Sequence, residues 1–390
     1  MPVDDADVII IGGGVIGSSI AWHLARLQVD VLVVEREGPA AGSSGACDGL
    51  VLLQSKKPGL HTTLAFESIQ SLDRLSAELP VEIEFRRRGG LVVIGNETEL
   101  EAMSHFVEDR CRAGMDVSML DSAEVRELEP CIYQDILGAT FCPFEGQINP
   151  IALNHSFTLG ASQLGARFIR GETVREIRFS GGAVSGVVTD KGSYGGGVVV
   201  NAAGVFAAEI GRMAGLDIPI VPRRGQLLVT RSMPPVLEHC LISAGYIAAK
   251  FNPAAAQAGG GGGVSIEQTG HGNFLLGSTR EFAGFDRSTA PAACKGILDR
   301  CSAIIPRLRE SSIIRTFAGL RPYTPDGLPI LGFVHSVPGL VMAAGHEGDG
   351  ITLSAITGDL ISQLIVNGSS RLSLDEFRYE RFNQTGDRNV

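Results

Sequence analysis

Closely spaced cysteine pairs are missing from this 390-residue sequence. Cys47, Cys111, Cys131, Cys142, Cys240, Cys294 and Cys301 occur singly, without a C-x-x-C pair. That argues against a zinc ribbon or an iron–sulfur cluster held by this chain alone. The odd count and wide spacing fit reduced thiols. No apolar run approaches the ~20 residues of a membrane span, and the opening MPVDDADVIII has neither the basic flank nor the apolar stretch of a secretion signal. A cytoplasmic protein is expected, with peripheral attachment at the inner face of the membrane left open. Positive charge is also short: 33 Lys and Arg face 43 Asp and Glu, a net charge of −10. This disfavours nucleic acid as the main partner, because phosphate affinity rests on basic patches. The one basic run, Arg86, Arg87 and Arg88, reads as a solvated strand end before a turn, with a subunit contact as the other reading. Repeats of 20–50 residues are absent, which excludes a solenoid. His61, His105, His155, His239, His271 and His335 show no metal-like grouping and read as structural.

Glycine, by contrast, is plentiful: 50 residues, nearly twice the usual share. Three of them form the strongest local signal. Residues 7–11 are a short β-branched run that reads as a buried parallel strand. Gly12, Gly14 and Gly17 follow at G-x-G-x-x-G spacing, then a helical stretch with Ile20, Leu24 and Leu27 on one face. A second apolar run, 31–34, ends in Glu35. Gly12 permits a tight turn, Gly14 lets a pyrophosphate approach the backbone, and Gly17 lets helix pack on strand. Free amides at the helix start face the phosphates, and Glu35 is placed to accept hydrogen bonds from an adenosine ribose. The acid would repel a 2′-phosphate, so NADP is disfavoured. The motif by itself does not separate FAD from NAD.

The length suggests two domains. A helix is predicted over 62–79, strands over 81–85 and 89–95, and a second helix over 97–114. Residues 165–203 give short strands joined by glycine turns, ending in a buried strand at 198–202. Strand-like segments resume at PRRGQLLVT, and five glycines at 259–263 read as a flexible hairpin tip. The fold class expected is α/β: a Rossmann-like nucleotide domain from residues 1–80, 145–222 and 318–390. A mixed-sheet substrate or partner domain, 81–144 and 223–317, is inserted in it.

The glycine fingerprint with Glu35, VVVNAAGVFA, GLRPYTPDGLPILG and AAGHEGDGITLSAITGDLI together resemble the D-amino-acid-oxidase-like FAD enzymes. That family includes glycine oxidase, sarcosine oxidase and D-amino-acid dehydrogenases. The resemblance covers residues 7 to about 366. GHEGDGI and EQTGHGNFLLGSTREFAGFD resemble a narrower group: the FAD-bearing subunits of heteromeric dehydrogenases such as opine oxidase, D-hydroxyproline dehydrogenase and hydrogen cyanide synthase.

The resemblance implies noncovalent FAD and names its contacts. Gly12, Gly14, Val15, Ile16 and Gly17 would line the pyrophosphate, Glu35 would hold the ribose, and Arg36 would lie beside the adenine. Ser43 and Ser44 match a hydroxyl pair near the phosphates, and Asp48, Gly49 and Leu50 the backbone beneath the flavin. Val174 matches a backbone contact to adenine, and Ala203 and Gly204 close the groove. Gly345, His346, Glu347, Gly348, Asp349, Gly350, Ile351 and Thr352 would run along the pyrimidine edge of the flavin. Amides and a helix N-terminus there favour an anionic reduced ring. Glu347 and Asp349 are therefore expected to turn outward, toward solvent or a partner chain. His346 is expected to serve through its backbone rather than as a base. Arg321 matches the arginine that clamps the substrate carboxylate and sets Cα over flavin N5 for hydride transfer. An ion pair with Asp326 is its bland alternative. Tyr246 matches a substrate-facing tyrosine.

Three departures stand out. Gly319 occupies the position of the cysteine that binds flavin covalently in monomeric sarcosine oxidase. Gly348 replaces an arginine of glycine oxidase, leaving Arg280, Arg287 and Lys250 as candidate cations. Asp48 stands where small apolar residues are usual, as a partner contact or a group that tunes the ring. The resemblance implies an FAD-dependent dehydrogenase oxidising the C–N bond of an opine- or D-hydroxyproline-like amine, with electrons leaving through partner subunits. A self-sufficient glycine, sarcosine or D-amino-acid oxidase that releases hydrogen peroxide is the alternative. A flavin-binding scaffold subunit is a third reading and an NAD-dependent dehydrogenase the weakest, since it leaves the late motif without a task.

Overall fold

The computed structural model describes residues 5–251 and 263–382. The glycine run at 259–263 lies outside them except for Gly263. The first of two eight-stranded sheets grows from the strand Ala6–Ile11. It pairs in parallel with Val31–Glu35 on one side and Ser193–Asn201 on the other. Arg167–Arg170 extends one edge; Leu340–Ala344 and then Ile330–Phe333 extend the other. The central strands are continuously apolar because both faces are covered. Val8 and Ile10 pack with Ile20, Leu24, Phe157 and Ile356, whereas Ile9 and Ile11 enter a second core with Val174, Ile177 and Ile210.

Strand and helix meet closely at the glycine turn. A Cβ on Gly17 would stand 2.0 Å from the Gly12 carbonyl, so the helix Val15–Arg26 can approach the strand only with glycine there. The same helix receives the other end of the chain. The closing helix Gly350–Asn367 crosses it at Gly358, whose Cβ would fall 2.2 Å from Ser19 Oγ, and Ser19 Oγ donates to the Ser354 carbonyl at 2.9 Å. The first and last motifs of the sequence are thereby packed into one structure.

The second sheet runs Ile313–Tyr323, Val221–Thr230, Phe274–Gly277, Ser265–Gln268, Cys240–Ser243, Gly90–Ile94, Gly138–Cys142, Ser118–Asp121. It is mixed: Cys240–Ser243 lies parallel to Gly90–Ile94, and its other neighbours are antiparallel. Its segments interrupt those of the first sheet, which gives an α/β fold with a Rossmann-like sheet joined to a mixed one. The helix Pro291–Ile304 covers one face of the mixed sheet through Ile297 and Cys301. Two sequence expectations need adjustment. The helix near 62–79 is Leu60–Glu78. Residues 81–85 form no strand, because Glu84 takes a φ of 53° that breaks the extended run, and only Arg86 bridges to Gln147. Arg87 and Arg88 are satisfied within the chain, by Asp73 at 3.3 Å and Glu238 at 2.7 Å. Among the described residues no helix is long and apolar enough to cross a membrane, and no His, Cys, Asp and Glu cluster could hold a metal.

Candidate nucleotide and substrate site

A single cavity of about 450 Å³ runs from the glycine turn to the mixed sheet. Gly12, Gly14, Val15, Ile16, Glu35, Arg36, Ser43, Ser44, Val174, Ala203 and Gly204 wall one end. Asp48, Leu50, Tyr246, Arg321, Gly345, His346, Glu347, Gly348, Gly350 and Ile351 wall the other. Four residues expected at the cofactor lie off this wall. Gly17 packs against strand backbone. Gly49 donates its amide to Glu267 at 2.9 Å, with no room for a Cβ beside the Ile148 carbonyl. Asp349 sits in an ion cluster, and Thr352 is buried in the first turn of the closing helix.

The glycine end has the features of a dinucleotide cradle. Gly12 has φ +109°, and a Cβ there would strike the Ala202 carbonyl at 2.6 Å. Above Gly14 the nearest atom to an added Cβ is Ser44 Oγ at 3.3 Å. Glu35 Oε2 accepts from the Gly13 amide at 2.7 Å, and Ser44 Oγ from the Val15 amide at 3.0 Å. Ser43 Oγ donates to the Leu320 carbonyl, fastening the loop to the mixed sheet. The Arg36 guanidinium lies 3.7 Å over the Phe206 ring, which stacks in turn on Phe285 at 5.0 Å. A flat π-surface therefore adjoins the glycine end of the cavity.

At the far end the backbone itself is arranged. Gly345 has φ +82° and Glu347 φ +50°, a left-handed position that costs a non-glycine residue roughly 1 kcal/mol or more. The closing helix starts at Gly350 with no side-chain cap, so its first amides are open to the cavity. His346 is buried, its Nε2 3.2 Å from Thr357 Oγ1, and burial pushes its imidazole down to about 4. It is neutral at neutral pH.

Glu347 and Asp349 do not turn outward. Both are buried and point into internal cations. Arg223 pairs with Glu347 Oε1, and Arg321 Nε stands 3.9 Å from the same oxygen. Asp349 receives Lys56 and Lys250, each at 2.8 Å, with His61 Nε2 at 3.5 Å. Burial alone would push both carboxyls up. Arg223, Arg321 and Arg280 overcome it and hold Glu347 at about 2, and Lys250 and Lys56 hold Asp349 well below the usual range. The outward expectation fails because these cations come from distant segments.

Strand register places Arg321. Ile313–Tyr323 and Val221–Thr230 pair antiparallel with Arg223 opposite Arg321 and Gly225 opposite Gly319. Alternation puts these four on one face, whereas Arg224 points away to Glu281 at 2.6 Å. The Arg321 guanidinium lies flat on Gly225, where a Cβ would meet Nη1 at 2.3 Å. Nη1 donates to the Thr279 carbonyl at 3.0 Å and Nη2 to Ser278 Oγ at 2.7 Å. Asp326, its alternative partner, is taken by Arg381 at 2.7 Å.

Of the three candidate cations, Lys250 is engaged by Asp349 and Arg287 lies exposed on the cavity wall. Arg280 stacks 4.2 Å over the Tyr246 ring. Asp48 accepts from Ser265 Oγ at 2.9 Å, and Glu267 beside it is pushed up to about 8 by burial and by Asp48. Arg223, Lys56 and Glu267 escaped the sequence reading. The alternation R-x-G in PRRGQ was the one local sign that Arg223 shares a face with Gly225.

The sequence matches the FAD dependent oxidoreductase family, DAO, over residues 7–364. It is 31% identical to a hydrogen cyanide synthase subunit, HcnC, of Pseudomonas protegens across 96% of both chains. It is 28% identical to a subunit of opine oxidase from Rhizobium meliloti across 97% of this chain and 98% of that one. The crystal structure of glycine oxidase from Geobacillus kaustophilus has the same fold, with a TM-score of 0.88 at 27% identity over 97% of this chain and 99% of that chain. A family match that takes in both sheets and the whole cavity has one consequence: this chain belongs to the DAO family of FAD dependent oxidoreductases.

Proposed function

We propose that the protein oxidises the C–N bond of an amino-acid-like amine, of opine or D-hydroxyproline type, to an imine that water hydrolyses. It does so as the FAD subunit of a heteromeric complex, cytoplasmic or peripheral at the inner membrane face. The observation that carries this reading is the preset Arg321 guanidinium on the cavity wall, beside a surplus of buried cations. FAD, when bound, supplies the two-electron acceptor. Gly12, Gly14, Val15 and Ser44 would hold its diphosphate, Glu35 its ribose, and the amides of Gly350 and Ile351 its pyrimidine edge. Arg321 grips the substrate carboxylate and fixes Cα. Neutral, buried His346 leaves the amine proton to solvent. Two relatives are complex subunits by name, which supports the heteromeric part. Retention of FAD is noncovalent in this reading, since a Cβ at Gly319 would lie 2.0 Å from the Ala46 carbonyl and no side chain reaches out from there.

The test is to express the chain with its genomic neighbours and mix the purified protein anaerobically with an amine panel. Bleaching of the yellow absorbance by a secondary amino acid, with slow turnover on oxygen, is the expected result. Failure of every amine to bleach removes the reading. Rapid peroxide release by the chain alone would instead favour a self-sufficient oxidase, for which the likeness to glycine oxidase speaks.

Gly17→Ala tests the cradle separately. The added methyl meets the Gly12 carbonyl, a backbone atom that cannot move aside. Overpacking is expected to destabilise the folded protein by about 1–3 kcal/mol, with or without FAD. A lower urea denaturation midpoint measures it.

A further inference from the structure

We infer that Arg280 binds a second anionic group of the substrate, so that the amine oxidised is a secondary amine with a carboxylate on each side of nitrogen. The inference rests on the amine-oxidising reading above and selects the dianionic class within it. Arg280 directly follows Ser278 and Thr279, the two residues that hold Arg321. Its guanidinium stacks 4.2 Å over the ring of Tyr246, a residue of the cavity wall, and Arg280 itself stands off that wall. Its Nε, Nη1 and Nη2 are all buried, and none has a hydrogen-bond partner. The Tyr246 hydroxyl is the nearest group that favours its charge, without hydrogen-bond geometry; Glu347 and Asp349 act from farther off, and each is already engaged by other cations. Those cations are accounted for: Arg223 and Arg321 share Glu347, and Lys56 and Lys250 share Asp349.

A buried guanidinium with no acceptor is uncommon in a folded chain, and it calls for a missing partner. The partner must be anionic and must reach Arg280 past the edge of Tyr246, the wall residue it stacks on. A carboxylate held by Arg321 satisfies one guanidinium; a second carboxylate across the nitrogen satisfies the other. A monocarboxylate such as a cyclic imino acid leaves Arg280 as orphaned as before.

Two sulfur analogues, which cannot form an imine, test the assignment on the FAD-loaded protein. 2,2′-Thiodiacetate carries two carboxylates and (methylthio)acetate carries one. Binding is read from the perturbation of the flavin absorbance. Thiodiacetate is expected to bind on the order of 10–100-fold more tightly, the worth of a charge-assisted contact. Arg280→Met should remove that preference by weakening thiodiacetate far more than (methylthio)acetate. Arg280→Lys should keep part of it, and retained FAD reports that each variant is folded. Equal weakening of both ligands, or no preference in the unaltered protein, overturns the inference. Bleaching by N-(carboxymethyl)alanine is scored separately. A preference without bleaching sinks the oxidation reading and leaves Arg280 standing, and bleaching without a preference does the reverse.

Discussion

Arg321→Met is expected to lower kcat/KM for the amine by roughly 10²–10⁴-fold while the protein keeps its FAD. Two effects add. In the proposed reading the variant loses a bidentate, charge-assisted grip on the carboxylate, about 1.5–3 kcal/mol for each hydrogen bond to a charged group. It also loses orientation, and small misplacements of a reacting carbon cost about 10²-fold. The guanidinium is fixed before substrate arrives: it lies on Gly225 and is tied to Thr279 and Ser278. Little side-chain entropy is then lost at binding. Arg321→Lys should recover only a small part, because an ammonium cannot reproduce the planar fork. Anaerobic stopped-flow separates the two effects, a weaker apparent Kd for the grip and a slower limiting bleaching rate for the orientation. An unchanged rate with both parameters intact would remove Arg321 from the site.

The glycine cradle was legible because its information is local. Strand, turn, helix and acid follow one another within 30 residues, and each constrains the next. The place of Arg321 on the cavity wall agrees with its motif, but what holds it there is not visible in the sequence. Its supports come from Ser278, Thr279 and Gly225, brought together by antiparallel register. The burial of the loop's charges is hidden from the sequence for the same reason. Glu347 and Asp349 sit in a polar, glycine-rich loop that reads as surface, and their cations lie at positions 56, 223 and 250. Packing of the closing helix on the first helix, with cations from other segments, makes that loop internal. Local pattern also failed at 81–85, where five residues with strand character are bent by Glu84 and pinned by the Asn149 amide on the Ile83 carbonyl at 3.0 Å. Tertiary context overrides propensity most readily in short runs.

Asp349→Ala is expected to destabilise the folded protein by about 3–5 kcal/mol, the usual cost of stripping one partner from a buried ion cluster. Lys56 and Lys250 are both nearly inaccessible and both depend on this carboxylate. Without it, two ammonium groups share a low-dielectric site and repel one another. The loss should appear as a lower denaturation midpoint at unchanged urea m-value. Adding Lys250→Met to Asp349→Ala should restore part of the stability, because it removes an uncompensated charge. If packing rather than charge were at stake, the second change would only make matters worse. Acid should act through the same groups. Asp349 and Glu347 are both held below their ordinary range, Glu347 at about 2 against 4.5 for an exposed glutamate. Each carboxyl binds a proton more readily unfolded than folded, so their stabilisation is complete above about pH 4.5 and is lost as pH falls toward about 2. Unfolding midpoints measured across that interval should decline steeply in the unaltered protein. The decline should be shallower in the Asp349→Ala, Lys250→Met double variant, which has already surrendered one of the two carboxylates.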